Sequence, residues 1–406
     1  MAIILIIRPA DNRLMTCMVD QGAKNYNPMR LALPSLVLFI YIVVSLIAFA
    51  PCRPLMKVVA GIALLVISQK FLIYERIGGS FIAPDLPGPL LLIMEILYAS
   101  MLILVFLLVI KDGLALSLWL SRLLGSSWHL PLTPTIRSVG LVMVALVLGL
   151  YGTWQSIRVP DVRTVEITLP KLPVSLDGFS IVQLSDIHIG PFLRGAWLRE
   201  VVARTNTLSP DLVALTGDMI DGSPEELKDD VAPLADLQAR YGVYGITGNH
   251  EYYFRVERWL PVFAQLGITM LNNDHRVLSV AGGDALVIAG VPDQAASHYG
   301  GAGPNITSAL AAAPETVKVL MVHRPNGITG RSNADLQLSG HTHGGQLFFL
   351  KWLTSTFNGG LVGGLYEIDT MKLYVSPGTG LWAGFSCRLG VPAEITNIVL
   401  RSQVKG

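Results

Sequence analysis

The sequence has little charge: 15% of its 406 residues are charged, against 51% hydrophobic. That balance excludes a chain that is soluble throughout, and it puts part of the protein in lipid. A field of one sign is missing as well, because the formal net charge is only +1. Nucleic acid is therefore not an expected partner. Cysteine is almost absent, and Cys17, Cys52 and Cys387 are too scattered for a readable disulfide framework or for any statement about compartment. The sequence also lacks an internal repeat and a low-complexity tract.

What it does have is long apolar runs, confined to its first part. Leu31 to Ala50 is uninterrupted and about the length needed to cross a bilayer. Leu55 to Tyr74 carries Lys57 at one end and Gln69-Lys70 near the other, positions from which long side chains snorkel. Leu86 to Ile110 is apolar apart from Glu95, and Val139 to Ile157 is free of charge between Arg137 and Arg158. Residues 1–157 thus read as about four spans of a multi-pass protein of the cell membrane. The shorter stretch Leu114 to Leu124, broken by Ser117, Ser121 and Arg122, fits an interfacial or extended helix better than a fifth crossing. Glu95 is expected to be protonated or paired within the helices, with no part in chemistry. Met1 to Arg30 is no convincing cleavable signal, and Met15, Met18 and Met29 are alternative starts. Arg8, Arg13, Lys24 and Arg30 favour a cytoplasmic catalytic side; Arg53, Lys57, Lys111, Arg122 and Arg137 favour the opposite one.

After Trp154 the texture changes. Charges return, Pro160, Pro170 and Pro173 stiffen a linker, and short β-rich runs alternate with amphipathic stretches. Val162 to Leu169, Ser180 to Leu184, Leu212 to Thr216 and Val243 to Thr247 read as strands. Ala196 to Leu208, Glu225 to Arg240 and Val256 to Leu266 carry apolar residues at helical spacing. Residues 158–406 therefore read as an α/β unit. Ala285 to Ala289, Val317 to Val322, Leu365 to Ile368, Lys372 to Val375 and Ile395 to Leu400 come with fewer helices and predict a second, more antiparallel sheet.

Ligands of α/β units gather beyond the carboxyl ends of strands. Here those ends read Ser185-Asp186-Ile187-His188, Thr216-Gly217-Asp218, Thr247-Gly248-Asn249-His250-Glu251, His323, and Gly340-His341-Thr342-His343. Five of the 8 histidines follow apolar strands directly, leaving His129, His275 and His298 elsewhere. A lone Asp-x-His or Gly-Asp is ordinarily a turn or a cap. Five blocks of metal-ligand type, each at a strand end, are not explained that way.

These blocks, in this order, resemble the calcineurin-like metallophosphoesterases. Leu338 to Gln346 and Tyr374 to Gly380 are similar to the longer motifs of the membrane-attached bacterial branch. The resemblance runs from about Val162 to the end and implies a four-layer α-β-β-α sandwich with two mixed sheets. It implies one metal held by Asp186, His188, Asp218 and His343 and a second held by Asp218, Asn249, His323 and His341, with Asp218 shared. Carboxylates, neutral imidazoles and an amide oxygen together favour two divalent ions of Mn, Fe or Zn over Mg or Ca. Such a pair, about 4 Å apart, acidifies a shared water for in-line attack on phosphorus. His250 is then expected to stabilise developing charge or protonate the leaving oxygen, and Glu251 to orient or charge-tune that imidazole.

The expected activity is hydrolysis of a phosphodiester or phosphoanhydride at a membrane, on a phosphate-containing and lipid-linked substrate. A lipid-precursor pyrophosphatase of the UDP-diacylglucosamine type is the alternative. A non-catalytic scaffold would need degraded ligands, and none is degraded. A transporter would need more intramembrane polar groups than Glu95. Asp221 reads as a helix-start or loop residue, Arg194 and Arg324 as either phosphate contacts or solvated charges, and Trp352, Trp382 and Phe385 as packing or surface-docking residues rather than the lining of a lipid-facing mouth. Cys387 lies outside every block.

Overall fold

The computed structural model describes residues 28–280, 285–326, 333–382 and 384–403. Arg8, Arg13, Lys24, Cys17, Met15 and Met18 lie outside the described residues. Five helices come first: α1 (Met29–Ile42, continued by a π-helical turn to Ile47), α2 (Pro54–Ser68), α3 (Lys70–Gly78), α4 (Gly88–Leu123) and α5 (Pro134–Ile157). Proline within the first two positions starts α2, α4 and α5, where its missing N–H costs nothing.

Met29–Ile47, Gly88–Leu123 and Pro134–Ile157 are long and apolar enough to cross a membrane, and α2 with α3 makes a fourth span if that bent pair is one crossing. Their outward faces expose Val37, Ile62, Ile93, Val109 and Val147, a surface suited to lipid rather than water. α4 runs through the stretch expected to be interfacial or extended, so Leu114 to Leu124 extends a span.

The second apolar run is not straight, because α2 and α3 meet at 64° beside Gln69. There Lys70 does not snorkel; it turns inward, fully buried, and its Nζ donates to both oxygens of Glu95 at 2.8 Å. Tyr74 Oη donates to Glu95 Oε1 at 2.9 Å. Glu95 Oε2 also accepts the Ser386 backbone N–H at 3.0 Å, which ties the bundle to a loop near the chain's end. Pairing, rather than chemistry, is thus what Glu95 does.

Twelve strands follow: β1 (Asp161–Leu169), β2 (Ser180–Leu184), β3 (Leu212–Leu215), β4 (Val243–Gly245), β5 (Ile268–Met270), β6 (Asp274–Ser279), β7 (Ala285–Gly290), β8 (Val317–Met321), β9 (Leu336–Ser339), β10 (Gly364–Ile368), β11 (Met371–Val375) and β12 (Glu394–Ser402). Interspersed are α6 (Gly195–Thr207), α7 (Pro224–Val231), α8 (Asn249–Tyr253), α9 (Val256–Gln265), α10 (Ala295–His298), α11 (Ile306–Ala309) and α12 (Lys351–Phe357). Two six-stranded sheets result, ordered β1-β12-β2-β3-β4-β5 and β10-β11-β9-β8-β7-β6.

Their facing sides share one core, in which Ile181, Leu212 and Ile398 meet Ile288, Val319 and Leu338. Outside the first sheet, Val182, Val213 and Leu215 pack on Leu198, Leu227, Trp259 and Phe263 of the helices. Outside the second sheet, Val287 and Leu320 pack on Ala309 of α11. The layers are therefore α-β-β-α, with two mixed sheets.

The second sheet has more antiparallel pairs than the first, as expected, but its interior is parallel. It is antiparallel only at its edges, β10 with β11 and β6 with β7, while β11-β9, β9-β8 and β8-β7 are parallel. Strands β7, β8 and β9 are buried on both faces, as interior parallel strands are, and short α10 and α11 make the β7-to-β8 crossover. Crossovers that short leave little helical periodicity to read. The helix expected over Glu225 to Arg240 stops at Val231, where Pro233 has no N–H to continue it and a 3-10 turn, Ala232–Asp236, takes over. Strands β5 and β6 lie in stretches not foreseen as strands; β5 has only three residues and β6 is mostly exposed.

Candidate active site

The loops after β2, β3, β4, β8 and β9 meet at one edge, joined by their own backbones. Asp186 N–H donates to Gly217 O at 3.0 Å, His188 N–H to Asp218 O at 3.1 Å, and Gly340 N–H to His323 O at 2.8 Å. Two glycines make this crowding possible. A Cβ on Gly248 would lie 2.2 Å from Asp218 Oδ1, and one on Gly340 would lie 2.2 Å from Asp186 Oδ2.

Asp186, His188, Asp218, His341 and His343 have φ of 52°, 50°, 54°, 70° and 47°. Left-handed backbone at a non-glycine residue costs about 1–3 kcal/mol and persists where surrounding structure enforces it, commonly at functional sites. Enforcement here comes from polar clamps. Glu251 accepts the N–H groups of Asp218, Met219 and Gly248 at 3.0, 2.7 and 2.7 Å. Ser185 Oγ donates to Asp186 Oδ2 at 2.5 Å, and the His341 N–H lies 3.0 Å from both Asp186 oxygens.

The side chains gather into three groups whose ligand atoms lie within 4.8 Å of one another: Asp186, His188 and His343; Asp218, His323 and His341; and His188, Asp221 and His250. Asp218 Oδ2 stands between the first two, 3.1 Å from His323 Nε2 and 3.8 Å from His188 Nε2. In the first group His188 Nε2 faces His343 Nε2 at 3.2 Å, and His343 Nε2 lies 3.4 Å from Asp186 Oδ1.

The other ring nitrogens are already engaged. His323 Nδ1 lies 2.8 Å from Thr216 O, while Asp221 Oδ1 lies 3.1 Å from His188 Nδ1 and 2.5 Å from His250 Nδ1. Such partners fix ring orientation and leave the opposite nitrogen for a cation. Asn249 Oδ1 is buried without a hydrogen-bond partner, and so is His323 Nε2, whose 3.1 Å contact with Asp218 Oδ2 is electrostatic rather than a hydrogen bond. Buried orphans, facing imidazoles and a carboxylate between them form a donor set that fits divalent cations.

Electrostatics point the same way. Burial, assisted by neighbouring cations, holds His343 and His341 well below the usual imidazole range, so both offer neutral nitrogen at neutral pH. Burial would raise Asp218, yet His323 and His250 hold it well below the carboxylate range. Burial would lower His250, but Asp218 and Asp221 overcome this and raise it to about 9. Burial opposes the charge on Asp221 too, and His188 and His250 bring that group down to about 2. His323 is raised to about 10, against burial, by Asp218. Cation binding beside His323 must therefore displace its proton.

Asp186, His188, Asp218, His323, His341 and His343 thus come together as expected, and Asn249 stands next to His250 at the amino end of α8. The expectation for Glu251 holds in part: its charge helps to raise His250, but its carboxylate clamps three backbone N–H groups, and Asp221 is what orients the imidazole. Asp221 was passed over as a loop residue. Its signal was the three-residue spacing from Asp218 in Gly217-Asp218-Met219-Ile220-Asp221.

Buried Arg388 also went unnoticed, and nothing in its local sequence marks it. Its Nη2 donates to Pro377 O at 2.9 Å and Gly380 O at 2.8 Å, and lies 3.4 Å from His343 Nδ1. Arg194 is a surface charge paired with Asp230. Arg324 is bound to Asp293 at 2.8 and 3.1 Å and, with Pro292 and Ile306, lines a cavity of about 80 Å³ beside His323. Trp382 packs edge-on against Phe385 at 5.7 Å, and Phe385 packs on the helix bundle. Cys387 is buried against Gly152 of α5, away from the cluster.

The family model described as calcineurin-like phosphoesterase matches residues 179–345. A transmembrane protein with metallophosphoesterase domain from Bos taurus is 37% identical over 281 residues, covering 66% of this chain and 63% of that protein. Its counterpart from Danio rerio is also 37% identical, over 276 residues, with 65% and 63% covered, so the chain spans under two thirds of these relatives. An uncharacterized metallophosphoesterase from Campylobacter jejuni is 31% identical over 316 residues, 77% of this chain and 82% of that protein. Among solved structures, the calcineurin-like phosphoesterase YfkN from Bacillus subtilis aligns at a TM-score of 0.34 and 16% identity, over 50% of this chain and 82% of that one. That structural likeness adds nothing to the assignment, which the sequence relatives carry. The chain belongs to the calcineurin-like metallophosphoesterases, a family of hydrolases acting on phosphoester bonds.

Proposed function

We propose that residues 158–406 are a catalytic domain, carried by the membrane helices of residues 1–157 in a multi-pass cell-membrane protein, that hydrolyses a phosphodiester or phosphoanhydride with two divalent ions. Asp186, His188, Asp218 and His343 hold one ion, and Asp218, Asn249, His323 and His341 the other. The observation that carries this reading is the Asp218 carboxylate, whose Oδ2 is within 3.8 Å of a histidine from each group. Mn, Fe or Zn suits a donor set of imidazole, carboxylate and amide. When bound, the ions supply Lewis acidity and an acidified water in line with the phosphorus.

The chain's own residues do the rest. Asp221 fixes His250 through Nδ1, which leaves Nε2, 4.0 Å from Asp218 Oδ2, turned to the shared space. His250 there holds a proton for the leaving oxygen. His250→Ala will keep both ions and lower kcat on bis(p-nitrophenyl) phosphate by about 10²–10⁴-fold. Loss of metal instead would make His250 a ligand. Asp221→Asn will cost about 10–100-fold, and the Asp221→Asn/His250→Ala pair will be slower than His250→Ala by less than that factor, because Asp221 acts largely through His250 and otherwise only holds His188. Additive losses in that pair would separate their roles.

A phosphate-containing, lipid-linked substrate fits a site whose rim, at Phe385 and Leu389, packs directly on the helix bundle. Metal analysis of the purified full chain, followed by comparison of a UDP-linked acylated sugar with a simple diester, separates a lipid-precursor pyrophosphatase from a phosphodiesterase. Absence of bound metal and of activity on either compound would end the hydrolase reading.

A further inference from the structure

Four residues past His343 the chain leaves the sandwich in the segment Leu-Phe-Phe-Leu-Lys-Trp-Leu-Thr-Ser-Thr-Phe, from Leu347 to Phe357. A 3-10 turn, Phe348–Leu350, leads into α12. Nothing in the catalytic cluster requires this excursion. It is nevertheless firmly held: Phe348 N–H donates to Leu389 O at 3.0 Å, Leu389 N–H donates to Gln346 O at 2.9 Å, and Gln346 Nε2 donates to Phe385 O at 3.2 Å. The segment is therefore fixed both to the His343 loop and to the loop that Glu95 anchors.

Its inner side touches a membrane span. The Phe349 ring stacks on Phe106, with centroids 4.2 Å apart and planes at 8°, and Phe348 meets Phe106 edge-on at 5.6 Å. Phe106 is halfway along the 36-residue α4, about 27 Å from its start at about 1.5 Å per residue. A bilayer's hydrocarbon is about 30 Å thick, so the contact lies near the far end of the apolar length, shortly before Lys111 and Asp112, at the level where the hydrocarbon of one leaflet meets its headgroups.

The outer side is bare. Phe348 is 52% exposed, Trp352 66% and Phe357 44%, with Leu353 beside them and Lys351 the only charge in the segment. Several large apolar side chains on one short element are costly in water. Their surface continues that of α4, where Val109 is equally bare. The medium that covers α4 at that level covers the segment too.

We propose that Leu347–Phe357 is a wedge embedded in the acyl chains of one leaflet and that, on the phosphoesterase reading above, the site draws its phosphoester sideways from that leaflet. The acyl tails of a bilayer lipid are the occupant of the bare face. The phosphate then reaches His341 and His343 from the rim that the wedge forms, without the lipid leaving the membrane. Lys351, on the same turn as Trp352, has the length to reach from hydrocarbon to headgroup.

The test uses the full chain in vesicles of phosphatidylcholine brominated on its acyl chains, mixed with phosphatidylglycerol. Trp352 emission is isolated as the difference between the native protein and Trp352→Phe. It should be quenched by the brominated chains and be insensitive to aqueous iodide; quenching by iodide and not by bromine overturns the wedge. Independently, Phe348→Glu/Trp352→Glu should lower kcat/KM on phosphatidylglycerol in those vesicles more than on soluble bis(p-nitrophenyl) phosphate. The excess should be about tenfold, the loss expected when a large apolar side chain is withdrawn from hydrocarbon. Equal losses on both substrates overturn lateral delivery. A native protein that cleaves neither substrate sinks the phosphoesterase reading, while the fluorescence still decides where the segment lies.

Discussion

Asp218→Asn will strip the purified protein of both divalent ions and lower kcat/KM on bis(p-nitrophenyl) phosphate by about 10³-fold or more, since metal stabilisation of the transition state is worth several kcal/mol. The side chain keeps its shape in this variant and loses its charge. Its Oδ2 is the atom close to both His188 and His323, and its Oδ1 accepts the His250 N–H at 2.9 Å. An amide gives one neutral oxygen where the site asks for two anionic ones. Metal content by mass spectrometry and rate are read on the same sample. Retention of both ions at full rate would refute the shared-carboxylate arrangement. His341→Ala guards against misfolding as the explanation, because His341 is less buried and its loss empties only the site it shares with His323. That variant should keep one ion per chain.

The second large effect is expected far from the chemistry. Lys70→Met will destabilise the protein in detergent by about 3–5 kcal/mol, the usual cost of leaving one member of a buried ion pair alone. Glu95 then keeps the Tyr74 hydroxyl and the Ser386 N–H and loses its only cation. Neutralising both members, in Lys70→Met/Glu95→Met, should recover most of that loss. What remains is the Ser386 N–H without its acceptor, a penalty of about 1–3 kcal/mol. Reversible unfolding in mixed detergent micelles measures both variants. A double variant no more stable than Lys70→Met would mean that packing, not charge, holds the bundle together at this level.

The pair also sets where the catalytic unit stands. Ser386 bonds Glu95, Arg388 N–H donates to Gly152 O of α5 at 2.9 Å, and the Arg388 side chain reaches the His343 loop. A single loop therefore links span residues to a proposed ligand through three consecutive residues. None of this was legible beforehand. Glu95 showed as one acid in an apolar run, Lys70 as a cation near a span's end, and Ser386 and Arg388 as unremarkable loop residues. Their meeting depends on a kink at Gln69 that hydropathy does not record, because composition averages over direction.

Local residue chemistry, by contrast, was enough to find the strands that carry ligands. Ser180 to Leu184 and Leu212 to Leu215 are short, mostly apolar and almost wholly buried runs ended by a polar residue, Ser185 or Thr216, and they fold where their pattern places them. The interior of the second sheet was harder. Its strands are as apolar as those of the first, but strand direction is set by crossover length and by the partner that covers each face, and neither is local. Asp221 and Glu251 show the same limit at the level of side chains. Both were visible as acids next to ligands, and only the packing of the loops decided that the near neighbour, Glu251, would clamp backbone while the distant one would hold the imidazole.

The sequence by itself determined that the chain has greasy helices followed by an α/β unit, and which seven residues have the chemistry of metal ligands at strand ends. Those are properties of side-chain type and of period, and both are written locally. Tertiary structure alone decided that Asp218 stands between two groups of histidines, that Asp221 orients His250, and that an apolar segment beside His343 lies against the middle of α4. Each of these is a meeting of residues distant in the chain, and such meetings arise when separate apolar surfaces leave water together.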